Sequence, residues 1–141
     1  MGNGVDQRRT VLYVEDNPAD ARLVREHLRG FDWADLVLAG SRDEALRCVE
    51  QRVPELVLLD LSLPGGNGMH LIRDLRHTDR TRYTPIVVFS GSSRPSDVHL
   101  CLSAGASAFV RKPGDPDAYR RALETAVSFW CVVAEPSPNG G

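Results

Sequence analysis

Several apolar runs of this chain end on groups that could do chemistry together. The run 10–15 (TVLYVE) delivers Glu15 and Asp16, the run 55–60 (ELVLLD) ends on Asp60, 85–90 (PIVVFS) ends on Ser90, and 108–111 (AFVR) is followed by Lys112. Three carboxylates gathered at one place repel, and they raise one another's pKa values unless a cation neutralises them. Magnesium suits such a set: it takes hard oxygen ligands from one or two carboxylates, keeps several waters and leaves positions for phosphate oxygens. A carboxylate can also accept a phosphoryl group itself, provided the donor is held in line and the charge is neutralised. Asp60 is the candidate nucleophile, because it ends the central apolar run and the loop after it (61–66, LSLPGG) leaves its approach open. Lys112 would offer a point positive charge, and Ser90 a hydroxyl, to the phosphoryl oxygens. Gly91 leaves room for that group to enter.

For these groups to meet, the runs between them must be strands of one sheet. Residues 10–15 are rich in β-branched and aromatic side chains, and Asp16-Asn17-Pro18 is a turn and helix-start signal. Leu23, Val24 and Leu28 give 19–29 a helical stripe, which Gly30 closes as a C-terminal cap. A strand over 34–39 (ADLVLA) precedes a helix capped by Ser41, with Glu44 three residues later, and Pro54 ends that region. The run 55–60 is almost continuously apolar, as expected of a strand covered on both faces. The alternation then repeats: helix 69–77, strand 85–90, helix 97–104, strand 108–111 and helix 116–129. Five βα units imply an α/β, doubly wound, five-stranded parallel sheet with five helices on its two faces. In such sheets ligands bind at the carboxyl ends of the strands, where all the candidate groups fall.

Composition narrows the functions available. With 141 residues, 42% of them hydrophobic and 26% charged, the chain fits one folded domain without a separate catalytic or output module. Residues 1–9 read as a flexible N-terminus, 10–130 as the domain, and 131–141 as a tail that is disordered or contacts a dimer partner. A net charge of −2 with interspersed signs gives no basic stripe for nucleic acid. No apolar run is long enough for a membrane span or signal peptide, so the cytoplasm is the expected location. Cys48, Cys101 and Cys131 are widely spaced and read as reduced thiols. His70 and His77, with Asp74 between them, read as a solvated helix face rather than a metal site, and His27 and His99 are unclustered. A nucleotide-binding enzyme is disfavoured because no glycine-rich phosphate loop follows the first strand.

The segments VEDNP, LLDLSLPGGNG, VVFSGSS and FVRKP, in this order and at these intervals, resemble the receiver domain of two-component response regulators over residues 10–129. The resemblance implies a flavodoxin-like strand order, 2-1-3-4-5. It makes Asp60 the phosphoacceptor from a sensor histidine kinase and Mg²⁺ the cofactor, held by Glu15, Asp16, Asp60 and the backbone carbonyl of Ser62. Ser90 and Lys112 match the family's hydroxyl and lysine. Phe109 matches its switch aromatic, and Lys112-Pro113 a peptide bond that is usually cis in the family. Ser62 and Ser92 fall where side chains influence loss of the phosphoryl group. The stretch 77–85 (HTDRTRYTP) and the ending 126–130 (AVSFW) are similar to stand-alone regulators that partner bacterial phytochrome kinases, which implies a light-sensing kinase and a homodimer, with chemotaxis-like or other single-domain regulators as the alternatives. Phe129, Trp130, Val132 and Val133 are the apolar cluster available for such a contact.

Each residue also has a plainer reading. Asp60 alone could be a turn residue, Glu15 and Asp16 could complement a helix dipole, Ser90 could cap a turn, Lys112 could be a solvated charge and Phe109 could be core. A phosphohydrolase similar to the haloacid dehalogenase family would need an acid two residues after its nucleophile, where this chain has Ser62. A phosphorylation-independent adaptor would be expected to lack the acceptor or the lysine, and both are present.

Overall fold

The computed structural model describes residues 8–91 and 94–133 of the chain. Ser92 and the tail 134–141, both assigned above, lie outside the described residues. Strands β1 (Arg9–Val14), β2 (Ala34–Ala39), β3 (Leu56–Asp60), β4 (Ile86–Ser90) and β5 (Ala108–Arg111) form one parallel sheet in the order β2-β1-β3-β4-β5. Helices α1 (Pro18–His27), α2 (Arg42–Gln51), α3 (Asn67–Arg76), α4 (Pro95–Ala104) and α5 (Pro116–Ser128) alternate with the strands. Successive strand residues point to opposite faces, and this divides the core in two. Leu12, Val14, Val57, Leu59, Ile86 and Val88 pack against α2, α3 and α4. Val11, Tyr13, Leu56, Leu58, Val87 and Phe89 pack against α1 and α5. Every residue of β3 and β4 is buried, which explains why those two runs carry no alternation.

Helix starts follow local chemistry. Asn17 caps α1, its side-chain oxygen accepting from the amides of Ala19 and Asp20, with Pro18 at the first helical position. Ser41 caps α2 by accepting from Glu44 N, but Glu44 reaches back to the amide of Gly40 rather than to that of Ser41. Asp115 caps α5 in the same manner.

Two expectations are corrected. Gly30 does not close α1 in a left-handed conformation: the helix ends at His27 with Leu28 as its cap, whose amide bonds back to Val24, so the turn is made before the glycine is reached. The Lys112-Pro113 bond is not cis, and no cis peptide occurs among the described residues. For an X-Pro bond the trans form is favoured by about 0.5–1 kcal/mol, and here it is compatible with the amide of Lys112 bonding Ser90 O at 2.8 Å. The described residues continue on either side of 10–130. Arg8 donates to Asp32 O, Arg9 opens β1, and α5 continues as a π-helical turn, Phe129–Val133, in which Cys131 is buried and its carbonyl accepts from Arg9 Nε at 3.2 Å. The cysteines are free thiols. His70 and His77 are exposed as expected, whereas Asp74 is drawn into a two-point ion pair with Arg42 of α2, at 2.6 and 3.1 Å.

Candidate functional site

Register brings the acidic residues together. Val14 of β1 lies beside Leu59 of β3, so the next residues, Glu15 and Asp60, emerge as neighbours at the carboxyl edge. Both are only 4% exposed. By strand alternation both also point toward the α1–α5 side, close enough to shift one another's ionisation. Asp60 Oδ1 accepts from the amide of Ser62 at 2.8 Å, and Asp60 Oδ2 accepts from Lys112 Nζ at 2.5 Å. The same ammonium lies 3.5 Å from Glu15 Oε1. Glu15 Oε1 also accepts from the hydroxyl of Tyr13 at 3.2 Å, and Oε2 from the amide of Asn17 at 3.1 Å. Ser90 ends β4, buried, next to the strand that carries Asp60.

Lys112 is the only lysine in the chain; the other basic side chains are arginines. An ammonium is a compact point charge, whereas a guanidinium is a planar fork suited to two-point contacts. At this position the point charge bridges two carboxylates, each through a single oxygen. Burial opposes its charge, but the hydrogen bond and charge of Asp60 outweigh that and raise its pKa.

The two carboxyls titrate as a pair. Burial, and then the hydrogen bond and charge of Asp60, push Glu15 up to about 7. Burial would also raise Asp60, but hydrogen bonds from Glu15, Lys112 and the Ser62 amide hold it down at about 2. The arrangement therefore favours the ionised form of Asp60 and disfavours that of Glu15.

The surroundings fit a small hard cation. One ammonium faces Glu15 and Asp60, and the exposed Asp16 follows Glu15 in sequence, so ionising all three leaves an excess of negative charge. Among the described residues no three acidic, thiol or imidazole side chains already converge as a closed cage. Magnesium does not require one, since one or two carboxylates with a carbonyl and water suffice.

Of the residues singled out in the sequence, Glu15, Asp60 and Lys112 are in direct contact, and Ser90 is tied to Lys112 through the backbone. Asp16 is exposed beside them and Ser62 engages Asp60 through its amide. Phe109 is half-buried against the α2–α4 layer, away from the face that carries Glu15. Tyr13 and the Asn17 amide were missed. The available signal was parity: residue 13 lies two before Glu15 on one strand, hence on the same face, and brings a hydroxyl into an otherwise aliphatic run.

Comparison with known proteins agrees with this geometry. The family model for the response regulator receiver domain matches residues 11–124. Among curated proteins, the DNA-binding response regulator MtrA of Mycolicibacterium smegmatis is 38% identical over 109 residues, which is 77% of this chain and 46% of that protein. The chain spans about half the length of the curated relatives it matches. Among solved structures, a response regulator from Hahella chejuensis is 30% identical with a TM-score of 0.84, covering 92% of this chain and 99% of that one. A response regulator in red light signaling of R. palustris is 26% identical with a TM-score of 0.81, covering 92% and 98%.

Proposed function

The chain belongs to the response regulator receiver domain family, and from that premise we propose that it accepts a phosphoryl group from a sensor histidine kinase on Asp60, with Mg²⁺ as cofactor. The observation that carries this reading is the Asp60 carboxylate, kept ionised by Lys112 and the Ser62 amide beside Glu15. In the transfer an Asp60 oxygen forms a bond to phosphorus as the bond between phosphorus and the donor's leaving group breaks, and the leaving group departs with its electron pair. Lys112 then neutralises phosphoryl oxygens instead of the carboxylate, and Ser90 donates its hydroxyl to another. Glu15, Asp16, Asp60 and the Ser62 carbonyl would hold the cation, which supplies charge neutralisation between carboxylates and phosphoryl oxygens. Receiver domains act as signalling switches, so the same groups would assist both gain and loss of the phosphoryl group.

The output is a surface change. When Ser90 moves toward the phosphoryl group, Phe109 turns inward and shifts the face made by α4, β5 and α5 between two states. The red-light function of the R. palustris relative, together with the sequence similarity noted above, supports a bacterial phytochrome as the kinase and a homodimer as the signalling form, in the cytoplasm. Among the described residues no helix is long and apolar enough to cross a membrane.

The test is phosphorylation by acetyl phosphate read as intact mass. Wild type should gain one phosphoryl group only when Mg²⁺ is present, and Asp60→Asn should gain none. An Asp60→Asn protein that gains phosphate at the wild-type rate would place the acceptor elsewhere.

A further inference from the structure

Glu15 is held by more than the acceptor site. An aspartate at its position would have one fewer side-chain torsion, so a glutamate needs something to fix its orientation. Two donors do so: the Asn17 amide on Oε2 and the Tyr13 hydroxyl on Oε1. Tyr13 is 1% exposed in the middle of β1, where a phenylalanine would fill nearly the same space without bringing a polar atom that must be satisfied. Its hydroxyl donates to Glu15 Oε1, and Tyr119 of α5 lies close enough behind it for the two phenols to influence one another's ionisation. Tyr119 is itself fixed, its ring lying edge-on to Phe89 at 6.3 Å and to His27 of α1 at 5.7 Å between centroids. A continuous contact thus runs from the acidic site through β1 to the α1–α5 layer.

Resting on the acceptor reading above, we propose that Tyr13 is a positioning residue: its hydroxyl, backed by Tyr119, fixes the Glu15 carboxylate in the orientation that serves the cation. Tyr13 touches neither the metal nor the phosphoryl group and acts through Glu15. At 3.2 Å the bond to Glu15 is longer than the usual hydroxyl–oxygen range.

The experiment is Mn²⁺ binding to the full chain, followed by electron paramagnetic resonance as loss of the free-ion signal, for wild type, Tyr13→Phe, Tyr119→Phe, Glu15→Gln and Asp60→Asn. Metal-free melting is measured on each. Partners that orient a metal ligand commonly change affinity by ten- to a hundredfold, and since the Asn17 amide still holds Glu15, about tenfold weaker binding is expected for Tyr13→Phe and roughly threefold for Tyr119→Phe. Metal-free melting should change little, because both rings keep their volume. Tyr13→Phe binding Mn²⁺ within about twofold of wild type would overturn the role. Should Tyr13→Phe fold poorly, Tyr119→Phe decides: unchanged affinity there removes the backing the proposal requires. Binding lost in Asp60→Asn but unchanged in Glu15→Gln would leave the acceptor site standing and reject the role of Tyr13. A wild type that binds no Mn²⁺ would reject both.

Discussion

Glu15 and Asp60 hold their protons unequally, and the inequality has consequences for both cation binding and stability. Glu15, pushed up to about 7, must lose a proton before it can serve a cation, whereas Asp60, held at about 2, need not. Metal affinity should therefore fall as pH drops below about 7, by up to about tenfold per unit, because the proton and the cation compete for Glu15. A Mn²⁺ affinity that stayed flat between pH 7 and 5, taken as roughly the competing range, would contradict that ordering. Stability runs the other way. Glu15 in the folded protein binds its proton more tightly than the reference carboxyl at 4.5, so its protonated form favours folding. That contribution is complete below about 4.5 and is lost as pH rises through about 7, with a size of order 1–3 kcal/mol. Metal-free protein should melt lower at pH 8 than at pH 5.5, Glu15→Gln should flatten the decline, and excess Mg²⁺ above pH 7 should offset it. An equal decline in Glu15→Gln would assign the effect to other groups. Sequence reading found Glu15, Asp60 and Lys112 because each follows an apolar run. It could not find which oxygen of each carboxylate faces which donor, since that depends on the β1–β3 register and on strand parity.

Among the elements, the end of α3 ties two connections of the molecule together. Arg76, its last residue, donates through Nε to Gly105 O at 2.8 Å and through Nη1 to the carbonyls of Thr84, Arg82 and Thr81 at 2.7, 3.1 and 3.2 Å. Its Nη2 reaches Ser107 Oγ at 3.3 Å. One guanidinium thus pins the α3–β4 connection and the α4–β5 turn to each other. Removing it leaves partly buried carbonyls without a donor, so Arg76→Ala should cost about 2–4 kcal/mol in urea unfolding. Arg76→Lys should recover little of this, because a single ammonium cannot span partners spread around a fork. Gly105 closes α4 at φ +118°, and a Cβ there would lie 2.7 Å from Arg76 Cγ, so Gly105→Ala should cost about 1–3 kcal/mol. The two losses should add to less than their sum, since they disturb the same contact. A stability change below about 0.5 kcal/mol for Arg76→Ala would deny the clamp its role. This feature was not legible in the sequence, where residues 77–85 carried only a family resemblance and nothing that tied them to Arg76. Its carbonyls find their donor through a side chain that arrives from an earlier helix. Bounds set by local chemistry were legible: the strand over 34–39, the strand over 108–111 and the cap at Ser41 stand where expected. Gly30 was misread because the α1 turn was completed by Leu28 before the glycine could be used.

For the whole molecule, the strand order leaves β5 at the edge of the sheet beside the site lysine. β5 is four residues long and joins β4 through the Ser90–Arg111 pairing, and the amide of Lys112 then bonds Ser90 O. Any shift of Ser90 or Lys112 therefore moves the edge strand directly. The neighbouring helix is poised to report it: α4 buries Cys101 against the core while Leu100 and Leu102 on either side of it are about half exposed. Phe129 and Val132, at the end of α5, are similarly open. Exposed apolar side chains of this kind mark surfaces that meet a partner. If α4 is the surface that phosphorylation remodels, Leu100→Ser with Leu102→Ser should leave acceptance of phosphate intact and abolish any phosphate-induced dimer seen by light scattering. Phe129→Ser with Val132→Ser separates the rival surface, because loss of the dimer there alone would move the interface to the end of α5. Lys112→Ala distinguishes coupling from contact. In the resting site its ammonium is bonded to Asp60, and its transfer to the phosphoryl group is what would pull on β5. The variant should accept phosphate slowly, by roughly a hundredfold given what one electrostatic donor contributes. Once phosphorylated, it should stay in the resting oligomeric state and keep the resting hydrogen-exchange pattern over residues 95–111. A Lys112→Ala protein that switches normally after phosphorylation would mean that the pull comes from Ser90 alone.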